Sequence, residues 1–167
     1  GVEPDSAWGD YQYPNARVVI APIPPCPFDA GKFEVAAVLD ALYLLPDPSG
    51  VFAELRRVLK PGGVLILDLP PQGYVCLRGW GGSLFRLARA RAFNAYPYYF
   101  SRASLNLLLK QAGFRMCALF PDRGIVHPLP ELRWVLNVYT GAIRLLHGLI
   151  PSVAWIAPKV IVVCEAL

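Results

Sequence analysis

Two aspartates close apolar runs in this sequence: Asp40 ends "EVAAVLD" (34–40), and Asp68 stands near the end of "VLILDLP" (64–70). A carboxylate at the carboxyl end of a buried strand points at the crevice where α/β sheets take their ligands. Each has a second use that stays open. Asp40 could cap the helix that follows its strand, and Asp68 could hydrogen-bond its own loop. His127, between Val126 and Pro128, is either a general base near neutrality or a surface histidine with no task. Arg78, Arg86, Arg89 and Arg91 form either a solvated face or a basic rim for an anionic acceptor or membrane surface. The run "YPYYF" (96–100) packs a helix onto a sheet or walls an acceptor pocket. The four cysteines, at 26, 76, 117 and 164, show no C-x-x-C spacing, and only two histidines accompany them. That pattern argues against zinc, and no metal is expected. Apolar neighbours such as Val75, Met116 and Val163 predict buried thiols and a reducing compartment.

Something must position these groups, and 167 residues suffice for one domain with a substantial core. With 55% hydrophobic and 17% charged residues, the surface is lean in charge, so apolar area is left that a soluble monomer would hide. A net charge of +4 without basic runs is too little for a nucleic-acid partner, and none is expected. There is no positively charged start followed by an apolar run. The expected location is cytoplasmic, with a position peripheral to a membrane left open.

"GVEPD" (1–5) reads as the end of a strand. "ARVVIAPI" (16–23) is a short strand closed by Pro22 and Pro24. "EVAAVLD" has the continuous apolar character of a strand buried on both faces of a parallel sheet. Pro48 and Ser49 open a helix whose Val51, Phe52, Leu55, Val58 and Leu59 share one face; Lys60 favours its C-terminal dipole and Pro61 stops it. A Pro-Gly-Gly turn then drops into an apolar strand over 64–69, with Gly62 and Gly63 supplying backbone freedom. Strand, helix and strand at this spacing make a right-handed βαβ unit. Ser-capped helices are predicted over 83–93 and 101–112, the second ended by Gly113. Strands follow at 114–120 and 159–167. Between them, residues 131–150 read as a helix with one narrow polar stripe: Arg133, Asn137, Thr140, Arg144 and His147. Such a helix should be buried on more than one side, by a lid contact, a partner or lipid.

"FEVAAVLDALYLLPDPSGVFAELRRVLKPGGVLILDLP" resembles the fourth-to-fifth-strand segment of class I S-adenosylmethionine-dependent methyltransferases. "YYFSRASLNLLLKQAGFRM" is similar to the family's helix leading into strand six. "FDAGKFEV" resembles its link from strand three, and "GVEPD" the end of strand two. The resemblance covers most of residues 1–120, with the seventh strand at the end. It implies an α/β, Rossmann-like sheet, mostly parallel with an antiparallel last strand. It implies a single domain over 1–167, lacking the first strand and helix, with a helical insertion at about 129–152 between the last two strands. The implied cofactor is S-adenosylmethionine. Glu3 would take the ribose hydroxyls, Pro22 and Ile23 would flank the adenine, and Leu39 and Asp40 would line the methionine moiety and reacting methyl.

The sequence departs from the family in three places. The glycine-rich loop ending the first strand is absent, so the chain is either an N-terminally incomplete fragment or a degenerate domain. Pro22 stands where an acid often binds the adenine amino group. Tyr43-Leu44 replaces a frequent Glu-His pair, so no catalytic residue is assigned. Two functions follow: methyl transfer to a small, apolar or lipid-like acceptor, or a non-catalytic binding or scaffold domain that has lost the donor site. In either case the 131–150 helix could meet a partner subunit or a membrane surface. The isolated chain is expected to bind S-adenosylmethionine weakly or not at all.

Overall fold

The computed structural model describes residues 2–3, 14–15, 18–72, 100–122, 133–157 and 159–167, with the backbone alone for residues 3 and 133–136. The expected helix over 83–93, Cys76, His127, the 78–91 arginines and residues 96–99 lie outside the described residues.

Strands β1 (Val2–Glu3) and β2 (Val19–Ile20) pair in parallel, Glu3 beside Ile20. A second sheet has the order β3–β4–β6–β5, built from β3 (Phe33–Val38), β4 (Leu59–Leu69), β5 (Phe114–Asp122) and β6 (Lys159–Ala166). β3 and β4 are parallel, joined through helix α1 (Pro48–Val58). β6 runs antiparallel to both β4 and β5. This is the expected mixed α/β sheet with its antiparallel last strand.

Helix α1 begins where "DPSG" supplies its cap. Asp47 Oδ1 accepts from the Gly50 N–H at 3.0 Å, and Pro48 takes the first turn, where an N–H would have no partner. A Cβ on Gly50 would sit 2.2 Å from Asp47 Oδ2, so the cap requires glycine there. Val51, Phe52, Leu55 and Val58 are buried, as their spacing predicts. The polar face is busier than a solvated one. Glu54 Oε2 accepts from the Cys26 N–H at 2.9 Å, while Arg57 donates to the carbonyls of Phe28 (2.8 Å) and Cys26 (3.0 Å). Helix α1 thereby fastens the link that carries β2 into β3.

The Pro-Gly-Gly segment differs from the expected free turn. The helix ends at Val58, and Leu59 is already extended and paired with Phe33. Val35 then pairs with Val64, so residues 60–63 make an excursion opposite Glu34. Gly62 has φ +76°, and a Cβ on Gly63 would lie 2.9 Å from the Lys60 carbonyl oxygen. Lys60 pairs with Glu34 at 2.7 Å, a stronger partner than the helix end.

Burial follows β4 more closely than β3. Leu65, Leu67 and Leu69 are fully buried, and alternate residues are half-buried. β3 is exposed at Val35 and Ala37, contrary to a strand covered on both faces. Among the described residues β3 pairs only with β4, and the core covers the face of Ala36 and Val38. That core is one cluster, with Phe52 and Phe114 edge to face at 6.4 Å. Helix α2 (Arg102–Gln111) adds Leu105 and Leu109 to it. Ser101 and Ser104 cap α2 reciprocally, at 3.1 and 3.0 Å. Gly113 closes it at φ +81°.

Helix α3 (Arg133–His147) lies in sequence between β5 and β6, followed by a 3-10 turn at Pro151–Ile156. Part of its polar stripe, Thr140, Arg144 and His147, reaches the protein, while Asn137 is exposed. Thr140 is buried, Arg144 donates to the Pro121 carbonyl, and His147 lies between the carbonyl oxygens of Leu119 (2.8 Å) and Pro151 (3.1 Å). Apolar side chains face outward instead: Val138 is 65% exposed, Leu145 79% and Leu149 81%.

The cysteines divide. Cys164 is buried, and burial pushes its thiol up to about 12, with Cys117 adding to the shift. Cys117 is exposed, because the β5–β6 register steps from Met116 to Ala118 and leaves it out of the ladder.

Candidate functional site at the carboxyl edge of the sheet

β3 and β4 end at one edge of the sheet, and antiparallel β6 begins there. Asp40, Asp68 and Lys159 meet at that edge because of this topology. Lys159 Nζ lies 2.5 Å from Asp40 Oδ1 and 2.9 Å from Asp68 Oδ2. The second oxygen of Asp68 accepts from the Asp40 backbone N–H at 2.5 Å. The Tyr43 hydroxyl donates to Asp40 Oδ1 at 3.1 Å. Asp40 itself has φ +53°, in the left-handed region that few residues with a side chain adopt.

Burial grades across the cluster. The Lys159 and Asp68 side chains are 10% and 13% exposed, and that of Asp40 is 38% exposed. Burial pushes the Lys159 ammonium down, but hydrogen bonds and charge from Asp40 and Asp68 outweigh it, so the pKa is raised above its ordinary value. Two formal carboxylates against one ammonium leave the edge one negative charge, most open at Asp40.

The capping alternative for Asp40 is answered. Asp40 does not cap α1; Asp47 does. One Asp68 oxygen accepts from the Asp40 N–H after β3 and the other from Lys159 of β6. Lys159 is the residue that sequence reasoning missed. Its signal was a lysine opening an otherwise apolar strand, "KVIVVCEAL".

Leu39 joins this group from the end of β3, 60% exposed beside Asp40. Glu3 ends β1 next to Ile20, so a carboxylate-bearing residue closes one of two parallel strands. Pro22 and Ile23 follow β2 two and three residues past its end; Pro22 is exposed, and Ile23 packs on the core. Among the described residues, no cluster of His, Cys, Asp or Glu is suited to a metal ion. The arrangement can bind and orient. Leu39 offers apolar surface, and the Asp40 carboxylate suits a cationic group.

Residues 5–67 match the family model described as "Methyltransferase domain". Uncharacterised proteins of Mycobacterium tuberculosis (strain ATCC 25618 / H37Rv) and Mycobacterium bovis are each 32% identical over 108 residues, 64% of this chain. The chain spans 35% of the length of these relatives. A methyltransferase of Haloferax volcanii, solved in complex with a methyltransferase activator, superposes with a TM-score of 0.67 at 15% identity, covering 99% of this chain and 70% of that one. A SAM-dependent methyltransferase of Thermotoga maritima gives 0.67 at 16% identity, covering 100% and 72%. One of Methanosarcina mazei gives 0.60 at 18%, covering 100% and 81%. At these identities the superpositions show a shared fold.

Proposed function

We propose that this chain is a domain of the class I S-adenosylmethionine-dependent methyltransferases, with S-adenosylmethionine as cofactor, and that the protein transfers a methyl group to a small, apolar or lipid-like acceptor. The observation that carries the reading is the turn at Asp40: a left-handed, partly open carboxylate at the end of β3, where α/β sheets bind ligands. The bound cofactor supplies an electrophilic sulfonium methyl. The chain's own residues bind and align. Glu3 accepts from the two ribose hydroxyls, Pro22 and Ile23 flank the adenine, and Leu39 and Asp40 line the methionine moiety. The negative edge at Asp40 favours the cationic centre, and the exposed Leu39 and Leu44 give the acceptor side an apolar wall that sheds water. No general base is assigned, which suits an acceptor already nucleophilic at neutral pH.

Beyond the small-molecule acceptor, we place a partner protein or a membrane surface on α3. No helix among the described residues is long and apolar enough to cross a membrane.

The test is calorimetric titration of the full-length protein with S-adenosylhomocysteine. Saturable binding that Glu3→Ala weakens by about 1–3 kcal/mol, the usual cost of losing a charge-assisted partner, supports the reading. Unchanged affinity in Glu3→Ala removes Glu3 from the site. Absence of binding by the unaltered protein removes the methyltransferase activity.

A further inference from the structure

We propose that Lys159 is the positioning residue of the donor edge: by sharing its ammonium between Asp40 and Asp68 it holds the turn after β3 in its left-handed form. This rests on the methyltransferase reading for its functional consequence, but its structural content stands alone. The left-handed conformation of Asp40 is a local strain, and strain of this kind persists only where surrounding contacts over-determine it. Three contacts do so. The Asp40 N–H is held by Asp68, and its carboxylate is held by Lys159 and by the Tyr43 hydroxyl. Lys159 is the only cation in that set, and it comes from β6, the far end of the chain.

Its chemistry is costly in a way that points to geometry rather than stability. A lysine 8% exposed on a strand must be stripped of water, and an apolar side chain of similar length would fill the same space without that cost. What an apolar side chain cannot do is keep two carboxylates side by side. Asp68 Oδ2 and Asp40 Oδ1 both lie within 3 Å of one nitrogen, at 2.9 and 2.5 Å. Without the ammonium they are neighbouring like charges. Their mutual repulsion is then expected to swing the Asp40 turn outward. Among the described residues, the other groups facing the cluster do not replace Lys159. Tyr43 is neutral and already donates to Asp40. Asp122, opposite Lys159 in the β5–β6 ladder, is an anion paired with Arg144 of α3.

The experiment compares the unaltered full-length protein with Lys159→Met, Lys159→Arg and Asp68→Asn. Hydrogen exchange over residues 39–43 is measured against exchange over β4, and S-adenosylhomocysteine binding is measured at neutral pH. In Lys159→Met, exchange over 39–43 is expected to rise about tenfold while β4 stays protected. Affinity is expected to fall about tenfold. Lys159→Arg restores both. Asp68→Asn, which keeps the shape but weakens the tie, loosens 39–43 to a smaller extent, and it decides the matter if Lys159→Met does not fold. Unchanged exchange over 39–43 in Lys159→Met, or in Asp68→Asn where the former is unfolded, overturns the inference. Absence of S-adenosylhomocysteine binding by the unaltered protein overturns the methyltransferase reading instead, and the positioning role is then judged on exchange alone.

Discussion

Asp68 shows how far a single residue can be read from sequence. Its place at the end of an apolar run fixed it at a strand's carboxyl end, and the structure puts it there. Its partner could not be read, because Lys159 is 91 positions away and the pairing depends on which strand lies beside β4. Glu54 makes the same point within a helix. Helical spacing puts it outside the apolar stripe, but nothing local predicts that it receives the Cys26 N–H. The contact has a pH signature. Hydrogen bonding from Arg57, then from the Cys26 backbone, lowers the Glu54 pKa below its ordinary 4.5. A depressed carboxyl stabilises the fold above its unfolded pKa, and the contribution is lost as pH falls through the lower, folded value. Protection of the Cys26 amide is therefore expected to be constant above pH 4.5 and to weaken in more acid solution. Glu54→Gln should already show the weakened protection at neutral pH, measured by hydrogen exchange. Equal protection in both proteins at both pH values would remove the Glu54 clamp.

At the scale of elements, α1 and α2 were legible because caps and periodicity are local: "DPSG" and "SRAS" each close a first turn with their own side chains. The joint between α1 and β4 was only half legible. Lys60-Pro61-Gly62-Gly63 looks like a free turn, yet it is an excursion inside the β3–β4 pairing, which only the partner strand reveals. The two glycines then have separate reasons. Gly62 is needed for its positive φ, Gly63 for the approach of two backbone oxygens, Lys60 O at 2.9 Å and Glu34 O at 3.1 Å. Backbone cannot yield as a flexible side-chain end does. Gly63→Ala is therefore expected to destabilise the domain by about 1–3 kcal/mol, the usual range for forced overpacking. Chemical denaturation of the purified protein measures it. A change under about 0.5 kcal/mol, the size of an ordinary surface substitution, would mean that the excursion relaxes freely.

At the scale of the molecule, helix α3 is where sequence and structure part furthest. Its composition, with one narrow polar stripe, promised burial on more than one side. Two stripe residues, His147 and Arg144, satisfy main-chain oxygens at the end of β5 and in the following 3-10 turn, at Leu119, Pro121 and Pro151. Sequence cannot show this, since polar residues at helical spacing suit water and backbone acceptors equally well. The consequence is an exposed apolar line. Val138, Ala142, Leu145 and Leu149 follow one another at four, three and four residues, all exposed. Leu146 and Ile150, at 44% and 52% exposure, widen it. Of the two proposed occupants, a protein partner fits this line better than anionic lipid. Arg144, the cation of the helix's last turn, is paired with Asp122 and hydrogen-bonded to Pro121, so it is committed to β5 rather than to headgroups. Leu145→Glu is therefore expected to convert an associated form of the full-length protein to a smaller one in sedimentation velocity, with S-adenosylhomocysteine affinity unchanged because Leu145 is 79% exposed on the outer line of α3. Co-sedimentation of the unaltered protein with anionic vesicles at low salt, lost in Leu145→Glu while the sedimentation coefficient in free solution stays the same, would give the surface to a membrane instead.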